Sequence, residues 1–157
     1  MPLDCVTDVN GCVDCPPISA RPPQQPRVLT TPLIGWDAGA DSIIAVDGDL
    51  HLVFQMPRVG GAVVGLRSGR STPFVPSLIE HGLYFYSGAG LSLFSVIENG
   101  VPSGTYSYAP ADSFELRRLG TSVRYWHNST LIAVSSQPSR GAKIANACLY
   151  ATGDSVQ

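Results

Sequence analysis

The chain has 157 residues, 44% of them hydrophobic, with 16 Gly, 13 Pro, only 14% charged residues and a net charge of −2. That length suits one domain with a real core, burying roughly two-thirds of its unfolded surface. The slightly negative balance excludes electrostatic nucleic-acid binding as the default.

No apolar run approaches the roughly 18 residues that span a bilayer. The opening Met1-Pro2-Leu3-Asp4 carries neither the basic start nor the apolar stretch of a signal peptide. A soluble protein made in a cytosol, with no membrane insertion, is the expectation.

Residues 1–32 form a regime of their own. Seven of the 13 prolines lie there, with Cys5, Cys12 and Cys15, and only one glycine, Gly11. The run of residues 15–27 excludes helix, because proline removes donors and pushes the preceding residue to extended geometry. Two readings stay open for this arm: a disordered tail, or an extended polyproline-like strap that orders on a neighbouring subunit.

Residues 33–157 read as one β domain. No long window sustains a helical apolar period. Short alternating or apolar runs predict strands at 33–36, 42–46, 50–55, 62–67, 83–87 and 91–98. Further strands follow at 104–108, 113–119, 122–127, 130–135 and 144–150. Asp47-Gly48-Asp49, Ser87-Gly88-Ala89-Gly90, Asn99-Gly100 and the 118–122 and 127–130 stretches carry turn chemistry. Phe114-Glu115-Leu116-Arg117 alternates, Arg118-Leu119 breaks the phase, and Val123-Arg124-Tyr125 resumes it. Strands every 8–12 residues without helices predict an all-β fold, an antiparallel two-sheet sandwich or barrel.

Tyr84-Phe-Tyr-Ser-Gly88, Glu98-Asn99-Gly100, Ala111-Asp112-Ser113-Phe114, Leu119-Gly120, Val123-Arg124-Tyr125 and Asn128 occur in a familiar order. The pattern resembles the concanavalin A-like (lectin/glucanase-type) jelly-roll modules of bacterial surface proteins and tailed-phage structural proteins. It covers residues 83–150 well and 33–82 loosely. Ser129 stands where those modules carry glycine, which implies a different turn type there. These motifs specify fold better than function.

Few residues offer chemistry. Cys5, Cys12, Cys15 and Cys148 include one Cys-x-x-Cys, and four thiolates suit a tetrahedral zinc site or an iron–sulfur cluster. The alternatives are an arm disulfide or free thiols, with Cys148 buried in a strand. His51, His81 and His127 are isolated, and no Gly-x-Ser-x-Gly elbow or paired-carboxylate motif is present. No catalytic residue is assigned and no enzymatic activity is expected. Asp47-Gly48-Asp49 reads as a turn rather than a calcium site. Tyr125 and Trp126 are adjacent on a strand, so they point to opposite faces. One of them, with Arg124, is expected to contact a carbohydrate or a partner protein.

Low charge, the arm and the resemblance together predict a non-enzymatic virion subunit of a tailed phage: tail tip, baseplate or fibre. It would be assembled in the host cytoplasm and oligomeric within a symmetric assembly of virion tail proteins. The alternative is a carbohydrate- or receptor-binding module for host attachment, with a surface glycan as partner.

Overall fold

The computed structural model describes residues 36, 39–70, 75–151 and 154–157, together with the backbone of residues 6–7, 13–14, 29–30 and 38. The strands in chain order are β1 (Val6–Thr7), β2 (Val13–Asp14), β3 (Leu29–Thr30), β4 (Ala38–Asp41), β5 (Leu50–Gln55), β6 (Gly61–Arg67) and β7 (His81–Gly88). They continue as β8 (Leu91–Glu98), β9 (Val101–Ser107), β10 (Ser113–Leu119), β11 (Ser122–His127), β12 (Thr130–Val134), β13 (Ile144–Leu149) and β14 (Ser155–Val156). A single 3-10 turn, Pro76–Leu78, is the helical element among the described residues.

Two antiparallel sheets form the sandwich. One has six strands in the order β4-β13-β6-β7-β8-β9, and the other has four in the order β12-β11-β10-β5. The C-terminal β14 pairs with β3, and Gln157 exchanges two backbone hydrogen bonds with Gln55 at the end of β5. The arm predicted over residues 1–32 lies outside the described residues apart from β1, β2 and β3, and so do Cys5, Cys12 and Cys15.

Period-two alternation builds the core. Phe54 of β5 and Phe114 and Leu116 of β10 face Leu83 and Phe85 of β7 and Phe94 and Val96 of β8, all buried in one cluster. Across the sheets the Phe85 and Phe114 rings meet edge to face at 4.8 Å, and Phe94 meets Phe114 at 5.1 Å. Fully burying each such ring contributes roughly 1.5–3 kcal/mol.

Most strands fall within two residues of the sequence expectation; β9 starts three residues before the expected 104–108, and the expected 33–36 lies outside the described residues except for Trp36, which is in a turn. The 42–46 stretch is not a strand, and only Val46 makes a β-bridge there, to Lys143. Ile43 and Ile44 are 85% and 66% exposed. The strand that pairs with β13 is instead Ala38–Asp41, a small-residue segment that offers no apolar signal.

Two further details depart from expectation. Arg118 does not break the alternation of β10. It sits in phase with the core face at the end of the strand, 3% exposed, and donates to the carbonyls of Gly120 at 3.0 Å and Gly141 at 2.9 Å. The β11–β12 hairpin keeps the turn class that glycine would give. Asn128 and Ser129 both have positive φ, 46° and 63°, as a two-residue type I′ loop requires.

The six-stranded sheet packs on the core with one face and is partly covered on the other. On its outer side Val63, Ile79, Ile97 and Cys148 form a second buried cluster, joined by Trp36 and Tyr84. Ile79 follows the 3-10 turn and sits over the cross-strand pair Gly65 and Gly82. A Cβ on Gly65 would lie 2.2 Å from the His81 carbonyl oxygen and 2.8 Å from Ile79 Cγ2. The chain's only lysine, Lys143, is 3% exposed beside Leu50 and Leu66 of the two facing sheets, and its Nζ donates to Glu80 Oε2 at 2.5 Å and to Ser68 Oγ at 2.6 Å.

Candidate functional site

The outer face of the four-stranded sheet holds two of the three contact residues read from sequence. Trp126 and Arg124 project from β11 onto it, while Tyr125 points inward. Tyr125 is fully buried and cannot serve as a surface contact. Its hydroxyl donates to Glu98 Oε1 at 3.2 Å, and burial, reinforced by the Glu98 charge, pushes its pKa far up.

Around Trp126 the neighbours follow from register. Glu115 lies opposite it on β10, and Val53 lies beyond on β5. The Arg117 guanidinium stands 4.7 Å from the Trp126 ring centre and also grips Glu115 Oε2, which His51 Nε2 approaches at 2.8 Å. Hydrogen bonds from Arg117 and His51 hold the Glu115 carboxyl low, against a smaller upward pull from burial. Val53, Leu131 and Val134 are 54%, 43% and 54% exposed on this face.

The outer face of the six-stranded sheet offers a different surface. The segment Leu83-Tyr84-Phe85-Tyr86 of β7 alternates, so Leu83 and Phe85 enter the core and Tyr84 and Tyr86 point outward. The two tyrosine rings lie 5.0 Å apart and near parallel. Trp36 packs on Tyr84 at 6.3 Å and on Tyr150 at 5.2 Å, so the four rings form a continuous row across the sheet.

A groove of about 450 Å³ opens beside this row. Tyr84, Tyr86 and Ser95 line one side, and residues 102–105 of β9 line the other. Ser95 is 4% exposed, and its Oγ lies 3.5 Å from the Tyr86 hydroxyl. The β8–β9 register shifts between Phe94 and Val96, which marks a β-bulge in the edge strand. Gly104, at φ 68°, occupies it, and a Cβ there would press to 2.8 Å from the Tyr106 ring. Pro102 has no N–H, which suits an edge strand.

The remaining titratable groups are tied into the framework. His127 Nε2 lies 2.7 Å from Asp112 Oδ2, and its ring stacks on Phe114 at 5.0 Å. Burial pulls the Asp112 pKa up, but hydrogen bonds from Asn128, the Ala109 N–H and His127 outweigh it and hold the carboxyl low. Asp49 Oδ1 accepts the Gly120 N–H at 2.7 Å, a turn contact. Asp154 is 4% exposed and accepts the N–H groups of Gly60, Gly61 and Ala151.

Cys148 is fully buried in β13, and its thiol donates to Asn146 Oδ1 at 3.2 Å. Burial pushes its pKa up to about 12. Among the described residues, no three His, Cys, Asp or Glu side chains come together as a group that could hold a metal. The partners proposed for Cys148, namely Cys5, Cys12 and Cys15, lie outside those residues.

No family model matches the chain, and no curated protein does. Solved structures do. The legume lectin-like domain from Entamoeba histolytica superposes with a TM-score of 0.51 at 13% identity, covering 83% of this chain and 81% of that one. The carbohydrate recognition domain of Emp46p, in its potassium-bound form, gives 0.51 at 9% identity, with 82% and 77% covered. That of Emp47p gives 0.50 at 7% identity, with 82% and 78% covered. The chain therefore has the legume-lectin-like, concanavalin A-like sandwich fold. None of these three is a phage tail protein.

Proposed function

We propose that this chain is a non-catalytic carbohydrate-binding module that holds its ligand on the outer face of the six-stranded sheet. The observation that carries the reading is the groove between the Tyr84–Tyr86 row and β9. Sugar rings present apolar C–H faces and a rim of hydroxyls. The groove supplies aromatic rings for the first, and serine, threonine and backbone groups for the second. The solved structures of the same fold include two named carbohydrate recognition domains, which supports the reading by analogy. Screening the purified chain on a glycan array tests it. Saturable binding to one glycan class supports the proposal, and no binding anywhere on the array refutes it.

A second reading, a subunit of a homo-oligomer, is favoured by a separate observation. Val53, Leu131, Val134 and Trp126 share the outer face of the four-stranded sheet and leave apolar area on it. Light scattering tests this reading, since a concentration-independent monomer removes it. The expected place in a tailed-phage particle gains no support from the structural likenesses.

A further inference from the structure

We infer that the Tyr86 groove selects an uncharged saccharide and that the opposite face, around Trp126, takes no part in binding it. This rests on the carbohydrate-binding reading above and narrows it to a ligand class and a location.

Every side chain that lines the groove is uncharged: tyrosine, serine, threonine and proline, with one glycine. A sulfate or carboxylate on the ligand would leave water for a surface with no cation to meet it, at a cost no neutral hydroxyl repays. The side-chain partners on offer suit sugar hydroxyls. Ser95 lies almost buried at the groove with a single long contact, to the Tyr86 hydroxyl. Thr105 presents a further hydroxyl from β9. Burial, with Tyr86 and Tyr150 beside it, raises the Tyr84 pKa, so that ring stays a neutral phenol and a hydroxyl donor.

The Trp126 face has the opposite character. Arg117 covers the tryptophan ring and Arg124 pairs with it across β10 and β11, so two guanidinium groups share this face with the carboxylate of Glu115. An acidic glycan would find its cations there and not in the groove.

The test compares neutral polysaccharides (dextran, mannan and a β-glucan) with acidic ones (heparin and alginate) by affinity electrophoresis and calorimetry on the full chain. The variants are Tyr86→Ala, Thr105→Trp and Trp126→Ala. Thr105 is exposed on β9 in the bulge opposite Ser95, so tryptophan there blocks the groove without entering the core, and it serves if Tyr86→Ala does not fold. The expected result is binding to a neutral saccharide, weakened at least about tenfold by Tyr86→Ala or Thr105→Trp and unchanged by Trp126→Ala. Preference for an acidic polysaccharide, or loss only with Trp126→Ala, overturns this inference and leaves the carbohydrate-binding reading standing. Absence of binding to every saccharide overturns both.

Discussion

His81 Nδ1 lies 3.3 Å from Ser135 Oγ, and the imidazole is 2% exposed between the sheets' ends. Burial holds its pKa below 6.5, although the Glu98 and Glu80 carboxylates pull the other way. The unfolded chain therefore takes up this proton first, and stability falls as pH drops below 6.5 toward the folded value. Glu80, Asp112 and Glu115 are also held low in the folded state, so their contribution is present above their ordinary values and is lost in more acid solution. Urea midpoints measured from pH 8 downward should decline in two stages. His81→Gln should flatten the first stage and leave the second. An unchanged first stage in that variant means another group titrates there.

Lys143 and Glu80 form an ion pair whose lysine is buried and whose carboxylate is about one-third exposed. Replacing Lys143 with Met leaves Glu80 with the Ser68 N–H at 2.8 Å as its remaining partner. The loss should be about 2 kcal/mol, below the usual cost of breaking a buried pair, because Glu80 keeps contact with water. Chemical denaturation measures it, and a change within error would mean the pair is energetically neutral.

Ser129 holds a left-handed backbone that suits glycine better. Ser129→Gly should raise stability by about 0.5–1 kcal/mol through relief of that strain. A lower melting temperature in the variant would show that the Ser129 side chain contributes more than its backbone costs.

Cys148 combines full burial with a pKa raised to about 12, so almost none of it is thiolate at neutral pH. Iodoacetamide should leave Cys148 unmodified in the native protein and label it only on unfolding. Peptide mass spectrometry at that residue reads the result. Rapid native labelling would require an opening of β13 at low free energy.

The strands were legible because turn residues and alternation are local signals. Asn99-Gly100 and Phe114-Glu115-Leu116 state their geometry in a few residues. The 42–46 stretch misleads for the same reason. Ile43-Ile44 is β-branched, yet among the described residues no strand pairs with it, and pairing is decided elsewhere in the chain. Ala38–Asp41 does pair, although its small side chains carry no periodic signal. Trp126 and Tyr125 had to part company, but the sequence held no information on which faced the core. The Tyr84–Tyr86 row was readable as period two about Phe85. The groove beside it was not, because it depends on the bulge at Gly104 and on Trp36 packing from a distant segment.

The seclusion of Lys143 has a practical side. It is the only lysine in the sequence and is 3% exposed. Amine-directed reagents therefore find no exposed lysine side chain on either sheet face. Labelling with them leaves the side chains of both faces chemically untouched, so ligand measurements made afterwards report on native surfaces.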